Sequence, residues 1–420
     1  MKRIAIIGAG AAGCFCAVEL ARRRPDLQIT VYEAGRRPLA KVAVTGGGRC
    51  NLTNSFADIS DLSRAYPRGH RLMGRLFHVF NHEDTWRWFE AEGVPLVLQE
   101  DQCVFPKSQD ALQIVQVLLE RMRESGVLLK TGCRLNVLEA VPDGWSMTFA
   151  DGSSDRADAV VITTGGSPKR SGIGFLERLG LEIVEPVPSL FTFKVPDAPR
   201  DLMGTVVHPA AVTLAGTKFH AEGPLLITDW GMSGPAILKL SSYAARHLAE
   251  NGYQASLLVN WLAATAGEAR ALVQELGAGN PQKYLASRWP ESLTSRLWTF
   301  LLERAGLRPD IRFAELGSKG LNRLADVLTA DAYKIAGKAA FKEEFVTCGG
   351  VSLSEIHPNT LEAKRFPGLY LGGEVLDIDA VTGGFNLQAA WTCGHVIAVS
   401  LSDSVAFTNF ASKPSDHETC

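Results

Sequence analysis

The beginning of the chain contains the feature that most constrains its fold. The apolar run Arg3–Ile7 is followed by the pattern G-x-G-x-x-G at Gly8–Gly13. A helical segment over about Ala11–Arg23 and a second apolar run, Gln28–Tyr32, come next, and Glu33 stands twenty positions after the last glycine of the pattern. Strand, glycine turn, helix, strand and spaced acid together predict a parallel α/β unit that holds a dinucleotide.

Each part of this pattern has a physical role toward a bound dinucleotide. Gly8 permits the tight turn, Gly10 lets the backbone approach a pyrophosphate, and Gly13 lets the helix pack closely on the strand. The positive end of the helix and its free N–H groups favour the phosphates. Glu33 can accept hydrogen bonds from the ribose hydroxyls and would repel a 2′-phosphate, so FAD or NAD is expected rather than NADP.

Composition places the chain among ordinary globular proteins and limits its partners. Its 420 residues are 46% hydrophobic and 21% charged, with a formal net charge of −2, and this length predicts two or three domains. Such a charge gives no reason to expect binding to nucleic acid or to a membrane surface, and no apolar run could span a bilayer. The eight cysteines are scattered without a C-x-x-C pair, so we expect reduced thiols, a cytoplasmic location and no metal. The expected partner is a small-molecule substrate, and the oligomeric state is left open.

The pattern of secondary structure predicts a discontinuous nucleotide-binding domain. Buried strands and helices fill residues 1–190, a β-rich stretch covers residues 191–262, and helical patterns dominate residues 263–345. Residues 346–410 resume the character of the first stretch, and residues 411–420 are expected to form a solvated tail. The predicted fold class is therefore α/β, with a Rossmann-like domain of two separated stretches, an inserted β-domain and a helical subdomain.

Two further segments carry patterns that predict helices. The segment Ser108–Glu124 carries apolar residues at helical spacing, Ser108 can cap its beginning and Gly126 can end it. The segment Leu387–Ser400 is a helical run that follows a glycine turn near the end of the chain.

Further glycine turns surround the expected ligand. Thr45–Asn54 (TGGGRCNLTN) offers backbone N–H groups, an arginine and amides, unless it is only a flexible surface turn. Thr163–Gly166 ends a buried strand at the sheet edge where ligands bind in such folds, although a plain strand-ending turn fits it equally well. Leu371–Glu374 lies at the same edge, and Thr382–Asn386 opens the last helix. Together these turns favour a long ligand with a pyrophosphate at one end and a polar ring at the other.

Several motifs, taken together, are specific for one family. They are GAGAAG at 8–13 with Glu33, TGGGRCNLTN at 45–54, VFP at 104–106, TTGG at 163–166, GPLLITDWGMSGPA at 223–236, TCGGVSLSEIHPNTLEAK at 347–364 and GLYLGGEVLDIDAVTGGFNLQAAW at 368–391. With them the chain resembles the BaiN-type family of NAD(P)/FAD-dependent flavoproteins, also called YhiN or RdsA, over nearly its whole length. The resemblance implies non-covalent FAD on a glutathione-reductase-like domain, with NAD(P)H as a candidate transient donor.

The resemblance also implies which residues hold the cofactor. Those toward the ADP half are Gly8, Gly10, Ala12, Gly13, Glu33 and Leu135, and Ala34 is a further candidate contact. Those toward the ribityl chain and flavin are Arg49, Cys50, Asn51, Gly373, Glu374, Phe385, Asn386 and Leu387, and further candidate contacts are Lys41, Gly47, Gly48, Thr164, Gly165, Gly166 and Gly384. We expect Cys348–Gly350 and Asn386 to border the reactive face, with Asn51 on its approach. No catalytic residue is identified.

The chain departs from the family pattern at a few positions. Gln102 and Cys103 stand where Gly-Arg is usual, and Cys348, Ala363 and Ala380 replace the usual alanine, serine and glycine. The substrates of better-known relatives are therefore not transferred to this chain.

The expected function is that of an FAD-dependent oxidoreductase. It would transfer a hydride between a donor such as NAD(P)H and a small organic substrate such as an activated enone. A flavin-binding redox sensor or partner-binding module without turnover is an alternative, as is a small-amine oxidase. A nucleic-acid-modifying flavoprotein would require a basic face, for which the charge balance gives no indication.

Overall fold

The computed structural model describes residues 2–167, 169–339 and 346–404. The predicted tail lies outside these residues, as does the end of the predicted helical subdomain. Among the helices of the described residues, none is both long and apolar enough to cross a membrane.

The described residues form two compact units. The first comprises those of Met1–Pro186 and Val346–Cys420, and the second those of Val187–Phe345. The first unit is thus made of two stretches that are separated in sequence by the second.

The regular elements are numbered in chain order through both units. The strands are β1 Arg3–Ile7, β2 Gln28–Glu33, β3 Thr53–Asn54, β4 Leu96–Leu98, β5 Cys103–Pro106, β6 Leu128–Thr131, β7 Leu135–Val141, β8 Gly144–Phe149, β9 Ser154–Ala157, β10 Ala159–Ile162, β11 Ile183–Ser189, β12 Phe193–Lys194, β13 Val206–Leu214, β14 His220–Ile227, β15 Gly231–Ser233, β16 Gln254–Asn260, β17 Asp331–Ala336, β18 Val346–Val351 and β19 Leu369–Leu371. The helices are α1 Ala11–Arg23, α2 Ala40–Gly48, α3 His70–Leu76, α4 His82–Ala91, α5 Ala111–Glu124, α6 Gly174–Arg178, α7 Pro235–Tyr243, α8 Ala245–Glu250, α9 Ala266–Ala278, α10 Ser295–Arg304, α11 Gly317–Ala330 and α12 Phe385–Asp403.

A five-stranded parallel sheet with the order β19-β10-β1-β2-β6 forms the centre of the first unit. Strand β1 pairs with β2 on one side and with β10 on the other, and β19 pairs with β10. All residues of β10 and β19 are buried, as expected for parallel strands covered on both faces. The strand and helix predicted at Arg3–Ile7 and Ala11–Arg23 are confirmed. The α/β fold class is confirmed, and the ends of β1, β2, β10 and β19 meet at one edge of the sheet.

A buried carboxylate joins three helices of the first unit. Glu19 on α1 accepts hydrogen bonds from Trp88 Nε1 of α4 at 2.9 Å and from the Arg23 guanidinium at 2.7 Å. Its other neighbour is His395 of α12, whose Nδ1 lies 2.8 Å away. Burial by itself would raise the pKa of Glu19, but the hydrogen bonds from His395, Trp88 and Arg23 outweigh burial and hold the pKa at about 2.

The predicted cap of helix α5 is wrong, although its end is right. The helix begins at Ala111, and the side chain of Asp110 accepts the hydrogen bond of Leu112 N at 2.9 Å. The Ser108 hydroxyl lies outside the helix and donates to Gln113. Asp110 is the better cap because its extended backbone lets a carboxylate reach the first free N–H groups. Helix α12 begins at Phe385, two residues before the predicted start.

The second unit contains a six-stranded sheet with the order β12-β15-β14-β13-β16-β17, in which the pairs between named strands are antiparallel. Its β-rich part and its helices share one apolar core, which includes Trp261, Trp298 and Leu324. The separation of a β-domain from a helical subdomain at residue 262 stays a prediction.

The core of the second unit encloses one carboxylate. Asp331 is 3% exposed and accepts hydrogen bonds from Tyr333 Oη at 2.6 Å and Trp261 Nε1 at 3.1 Å. Arg304 donates to its other oxygen, with Nε at 2.8 Å. The negative charge is therefore fully partnered, as a buried charge must be.

Candidate functional site

The first glycine turn packs helix α1 directly onto the sheet. Gly8 has a φ of 107° and its N–H donates to Tyr32 O at 2.7 Å. A Cβ at position 13 would lie 2.0 Å from Gly8 O and 2.5 Å from Thr163 Oγ1. No side chain fits in that space, so Gly13 is required by the protein's own packing.

Gly10 differs from its two neighbours because its Cβ direction is open. A Cβ at position 10 would meet no protein atom within 4 Å. Gly10 is also the N-cap of α1, and no side chain caps the helix there. The open direction at Gly10 therefore lies at the start of the helix, where the first N–H groups lack intrahelical partners and the helix dipole is positive.

Glu33 is held at the same turn by backbone donors. Its Oε2 accepts from Ala9 N at 2.9 Å and its Oε1 from Gly35 N at 2.7 Å. Each carboxylate oxygen keeps further acceptor capacity for a hydroxyl group. Ala34 beside it is exposed, and Cys133 N donates to Glu33 O at 2.8 Å, two residues before buried Leu135.

A second carboxylate, that of Glu374, contacts the other turns at this edge of the sheet. Glu374 Oε1 accepts from Thr347 N at 2.7 Å, and Oε2 lies 3.5 Å from Lys41 Nζ. The turn after β10 meets the same group, because a Cβ at Gly166 would lie 2.5 Å from Glu374 Oε1 and one at Gly165 would lie 3.9 Å from Oε2. Glu374 thus brings together Lys41, the turn Thr163–Gly166 and its own turn, Leu371–Glu374.

The two turns also contact the start of helix α1. A Cβ at Gly373 would lie 3.4 Å from Ala12 Cβ, and one at Gly8 would lie 2.9 Å from Thr164 Cα. The turns at 163–166 and 371–374, both predicted to contact the cofactor, therefore lie against the start of one helix.

A separate contact joins the TGGGRCN loop to the start of helix α12. With its amide oriented to satisfy both neighbours, Asn51 donates to Thr53 O at 3.1 Å and accepts from Gly384 N at 3.2 Å. Gly384 has a φ of 88°, and a Cβ there would lie 2.3 Å from Thr53 O. Only glycine fits at this crossing, so Asn51 and Gly384 define a second, tightly built part of the edge.

The glycine loop itself presents one cation and one inert thiol. The Arg49 guanidinium lies 4.5 Å from the centre of the Phe105 ring, and its Nε donates to Gly46 O at 3.2 Å. Cβ atoms at Gly47 and Gly48 would meet nothing within 4 Å. Burial raises the pKa of the Cys50 thiol to about 12, so this group stays protonated and unreactive at neutral pH.

The side chain of Asn386 is committed to the backbone of a neighbouring segment. Its Oδ1 accepts from Ala380 N at 2.9 Å and its Nδ2 donates to Ala380 O at 3.0 Å. Phe385 before it is buried and its carbonyl accepts from Tyr66 Oη at 2.9 Å, while Leu387 follows in the first turn of α12. The expectation that Asn386 borders a reactive face stays a prediction, and its visible role is to fix the beginning of the helix.

The structure shows the conformation and contacts of two residues that depart from the family pattern, Gln102 and Cys103. Gln102 has a φ of 64°, a left-handed conformation that favours glycine, and Ser55 Oγ donates to its Oε1 at 2.6 Å. Cys103 is 7% exposed and pairs with Asn54 across two strands. The glycine usual at position 102 therefore matches the backbone conformation that this chain adopts with glutamine.

Sequence reasoning missed one ion pair beside this site. The Arg68 guanidinium donates to both oxygens of Asp379, which is 0% exposed. The partners are 311 positions apart in sequence, so no local pattern could pair them. The only available signal was the position of Asp379 inside the long motif at 368–391.

The parallel sheet, the open glycine turn and the second turn at α12 define a dinucleotide-binding protein of the Rossmann class. The chain belongs to the HI0933-like family, whose Rossmann-domain model matches residues 2–400, and this confirms the resemblance stated above. Membership of this family makes it an FAD-dependent oxidoreductase, the class predicted from the sequence.

Similar proteins cover almost the whole chain. A Clostridium scindens protein named 3-dehydro-bile acid delta(4,6)-reductase is 29% identical over 410 residues, which are 94% of this chain and 98% of that protein. An Escherichia coli K12 protein named ribosomal RNA dihydrouridine synthase is 27% identical over 407 residues, 94% of this chain and 97% of its own length. The solved 3-ketosteroid-delta4-(5alpha)-dehydrogenase of Rhodococcus jostii RHA1 shares the fold, with a TM-score of 0.52 at 13% identity over 96% of this chain and 97% of that one.

The residues at the edge of the sheet fit FAD. The space beyond Gly10 and the bare N-terminus of α1 suit a pyrophosphate. Glu33 is oriented by two backbone donors and retains acceptor capacity for a ribose. The individual contacts between the candidate residues and the cofactor stay predictions.

Proposed function

We propose that the protein binds FAD non-covalently in its first unit and uses it to reduce a small organic substrate with a hydride from NAD(P)H. The substrate class is a carbon–carbon double bond conjugated to a carbonyl group. The observation that supports the cofactor most directly is the contrast between Gly13 and Gly10: one glycine is required by packing, whereas the other faces open space at an uncapped helix start.

The proposed site has two ends with different chemistry. Gly8–Gly13 and Glu33 would bind the ADP half through helix N–H groups and a ribose-accepting carboxylate. Arg49, Asn51 and the first turn of α12 would face the flavin half. When bound, FAD supplies hydride transfer, while the protein supplies binding, orientation and electrostatics.

The chain's own groups support a non-covalent cofactor. The Cys50 thiol lies at the proposed flavin end, but its pKa of about 12 keeps it protonated and therefore a poor nucleophile. In the described part of the chain seven cysteines stand outside any disulfide, six of them buried. Reduced thiols are typical of cytoplasmic proteins, and we place the protein in that compartment.

The substrate class rests on the chemistry that two relatives' names share. A delta(4,6)-reductase of a 3-dehydro-bile acid and a dihydrouridine synthase each saturate a carbon–carbon bond that is conjugated to a carbonyl. Hydride addition to such a bond places negative charge on the carbonyl oxygen, which donors such as Arg49 or helix N–H groups would stabilise.

A base in ribosomal RNA is the second candidate substrate. The Escherichia coli relative and one from Haemophilus influenzae, 26% identical over 410 residues, both bear the name ribosomal RNA dihydrouridine synthase. The net charge of −2 favours the small molecule, because RNA-binding proteins gain affinity from many phosphate contacts.

Anaerobic reduction of the purified flavoprotein tests the proposal. NADH and NADPH are mixed separately with the protein while flavin absorbance is followed, and the reduced protein then receives either a steroid enone or unmodified ribosomal RNA. We expect bleaching by one nicotinamide and reoxidation by the enone. Reoxidation by RNA alone would favour the second candidate. Reduction without reoxidation by either acceptor would support a redox sensor, and bleaching by a small amine instead of a nicotinamide would support an amine oxidase.

A further inference from the structure

We propose that Arg68 and Asp379 are positioning residues for the flavin end of the site. Their ion pair fixes the segment that leads into helix α12, and through it the electrostatic environment of the cofactor. This inference rests on the proposed FAD site and adds a determinant of the cofactor's reduction potential.

Several contacts make the Arg68–Asp379 pair rigid. Both guanidinium donors that bind Asp379 come from one planar group, and the carboxylate is fully buried while Arg68 is 14% exposed. The two residues also pair through their backbones as an antiparallel bridge. A bidentate arginine–carboxylate contact fixes angle as well as distance, which a lysine cannot do.

The residues around Arg68 hold the same segment at several further points. We call Ala65–Gly69 the clamp, because four of its five residues contact the segment 378–385. The contacts are Gly69 against the Ile378 side chain, the Arg68–Asp379 pair, Val381 N donating to Ala65 O at 2.9 Å and Tyr66 Oη donating to Phe385 O at 2.9 Å.

The clamped segment is connected to the helix by hydrogen bonds as well as by the chain. The side-chain amide of Asn386 forms hydrogen bonds with both the N–H and the carbonyl of Ala380, the residue after Asp379. Asn386 is the second residue of α12. A displacement of Asp379 would therefore reach the first turn of the helix directly.

The first turn of α12 is where position matters for a redox cofactor. The N-terminus of a helix carries a partial positive charge that favours negative charge nearby, and the effect falls off within one turn. Reduced flavin is the more negative form of the cofactor, so a well-placed helix start stabilises it relative to oxidised flavin. Loosening the clamp should therefore lower the reduction potential.

The test compares the clamp with a matched ion pair in the second unit. Arg68→Lys and Asp379→Asn are made in the full chain, and Arg304→Lys and Asp331→Asn serve as controls, since Asp331 is also buried and bound by an arginine. For each holoprotein we measure the midpoint potential against reference dyes, the FAD dissociation constant and the melting temperature. We expect the clamp variants to lose at least tenfold in their preference for reduced over oxidised flavin, about 30 mV for two electrons.

Stability and potential must respond differently in the two pairs. All four variants should melt at lower temperature, because the lysine variants leave a buried carboxylate with fewer donors and the asparagine variants remove the carboxylate that the arginine binds. The control variants should keep the wild-type potential. Tyr66→Phe removes a single hydrogen bond to Phe385 and should shift the potential in the same direction by less. This milder variant decides the question if the charge variants fail to fold.

The outcomes separate the two proposals. Unchanged potentials in Tyr66→Phe and in whichever clamp variants fold would overturn the positioning role. An equal fall in the controls would also overturn it, because the effect would then follow from stability alone. A wild-type chain that binds no FAD would overturn the proposed function together with this inference.

Discussion

Gly10→Val should abolish FAD binding while costing the apoprotein little stability. A side chain at position 10 meets no protein atom within 4 Å of its Cβ, so the apoprotein loses only the preference of a helix N-cap for glycine over valine, about 0.5–1 kcal/mol. A branched side chain would occupy the space in front of the first helical turn, where the pyrophosphate is expected. Losing two charge-assisted hydrogen bonds there costs at least about 3 kcal/mol, or more than about 100-fold in affinity.

Gly13→Ala provides the matched control with the opposite behaviour. Its Cβ would lie 2.0 Å from Gly8 O, so either the helix or the strand must move even when no cofactor is bound. We expect a clear loss of unfolding free energy in the apoprotein, in contrast to Gly10→Val.

The assay for both variants combines FAD titration by flavin fluorescence with urea unfolding of the apoprotein. A Gly10→Val protein that binds FAD within threefold of wild type would refute the assignment of the pyrophosphate to this turn. An apoprotein destabilised as much as Gly13→Ala would show that position 10 is constrained by packing after all.

Further predictions concern carboxylates and thiols. Glu33→Ala should weaken FAD binding about ten- to hundredfold by titration, since it removes charge-assisted hydrogen bonds worth about 1.5–3 kcal/mol, and unchanged affinity would place the ribose elsewhere. Alkylation of the native protein at pH 8, mapped by peptide mass, should label partly exposed Cys133 and spare Cys50, whose thiol has a pKa of about 12; rapid labelling of Cys50 would contradict its burial. Cys348→Ala should keep the wild-type rate of flavin reduction in stopped-flow measurements, because this cysteine is fully buried in a strand; a large loss would give the thiol a catalytic role. The pKa of Glu19 is lowered from 4.5 to about 2, so its charge stabilises the fold above pH 4.5 and this contribution is lost as the pH falls through 2. The difference in unfolding free energy between wild type and Glu19→Gln, up to about 3 kcal/mol at pH 7, should therefore shrink toward pH 3 in urea titrations. A difference that stays constant with pH would refute this role of the Glu19 charge.

Local pattern was enough to predict the nucleotide-binding half of the fold. The strand, turn and helix at the beginning of the chain follow from apolar runs and glycine spacing, because each element is decided within about a dozen residues. The cap of α5 shows the limit of such reasoning. Ser108 and Asp110 are both good capping residues, and only the backbone conformation decides between them.

Contacts between distant residues were beyond local pattern. Glycines 349 and 350 let other backbone segments pass closely, since Cβ atoms there would lie 2.4 Å from Glu185 O and 2.5 Å from Val375 O, and local pattern does not name these two neighbours. The Arg68–Asp379 pair likewise depends on the path of the whole chain. Sequence gives residue types that suit a ligand, but it does not show which of them the protein uses for its own packing.

The strand order of the first unit has a consequence for synthesis of the protein. Strand β10 ends at Ile162, whereas β19, its outer neighbour, begins at Leu369. At about 5–20 residues per second a ribosome needs roughly 10–40 s to cover that interval. During this interval the outer edge of β10 has no partner strand, and α1 is not yet covered by α12. The unpaired strand edge makes the nascent chain prone to edge-to-edge association. The second unit is completed first, so FAD can stabilise the nucleotide-binding half only after β19 and α12 have been synthesised.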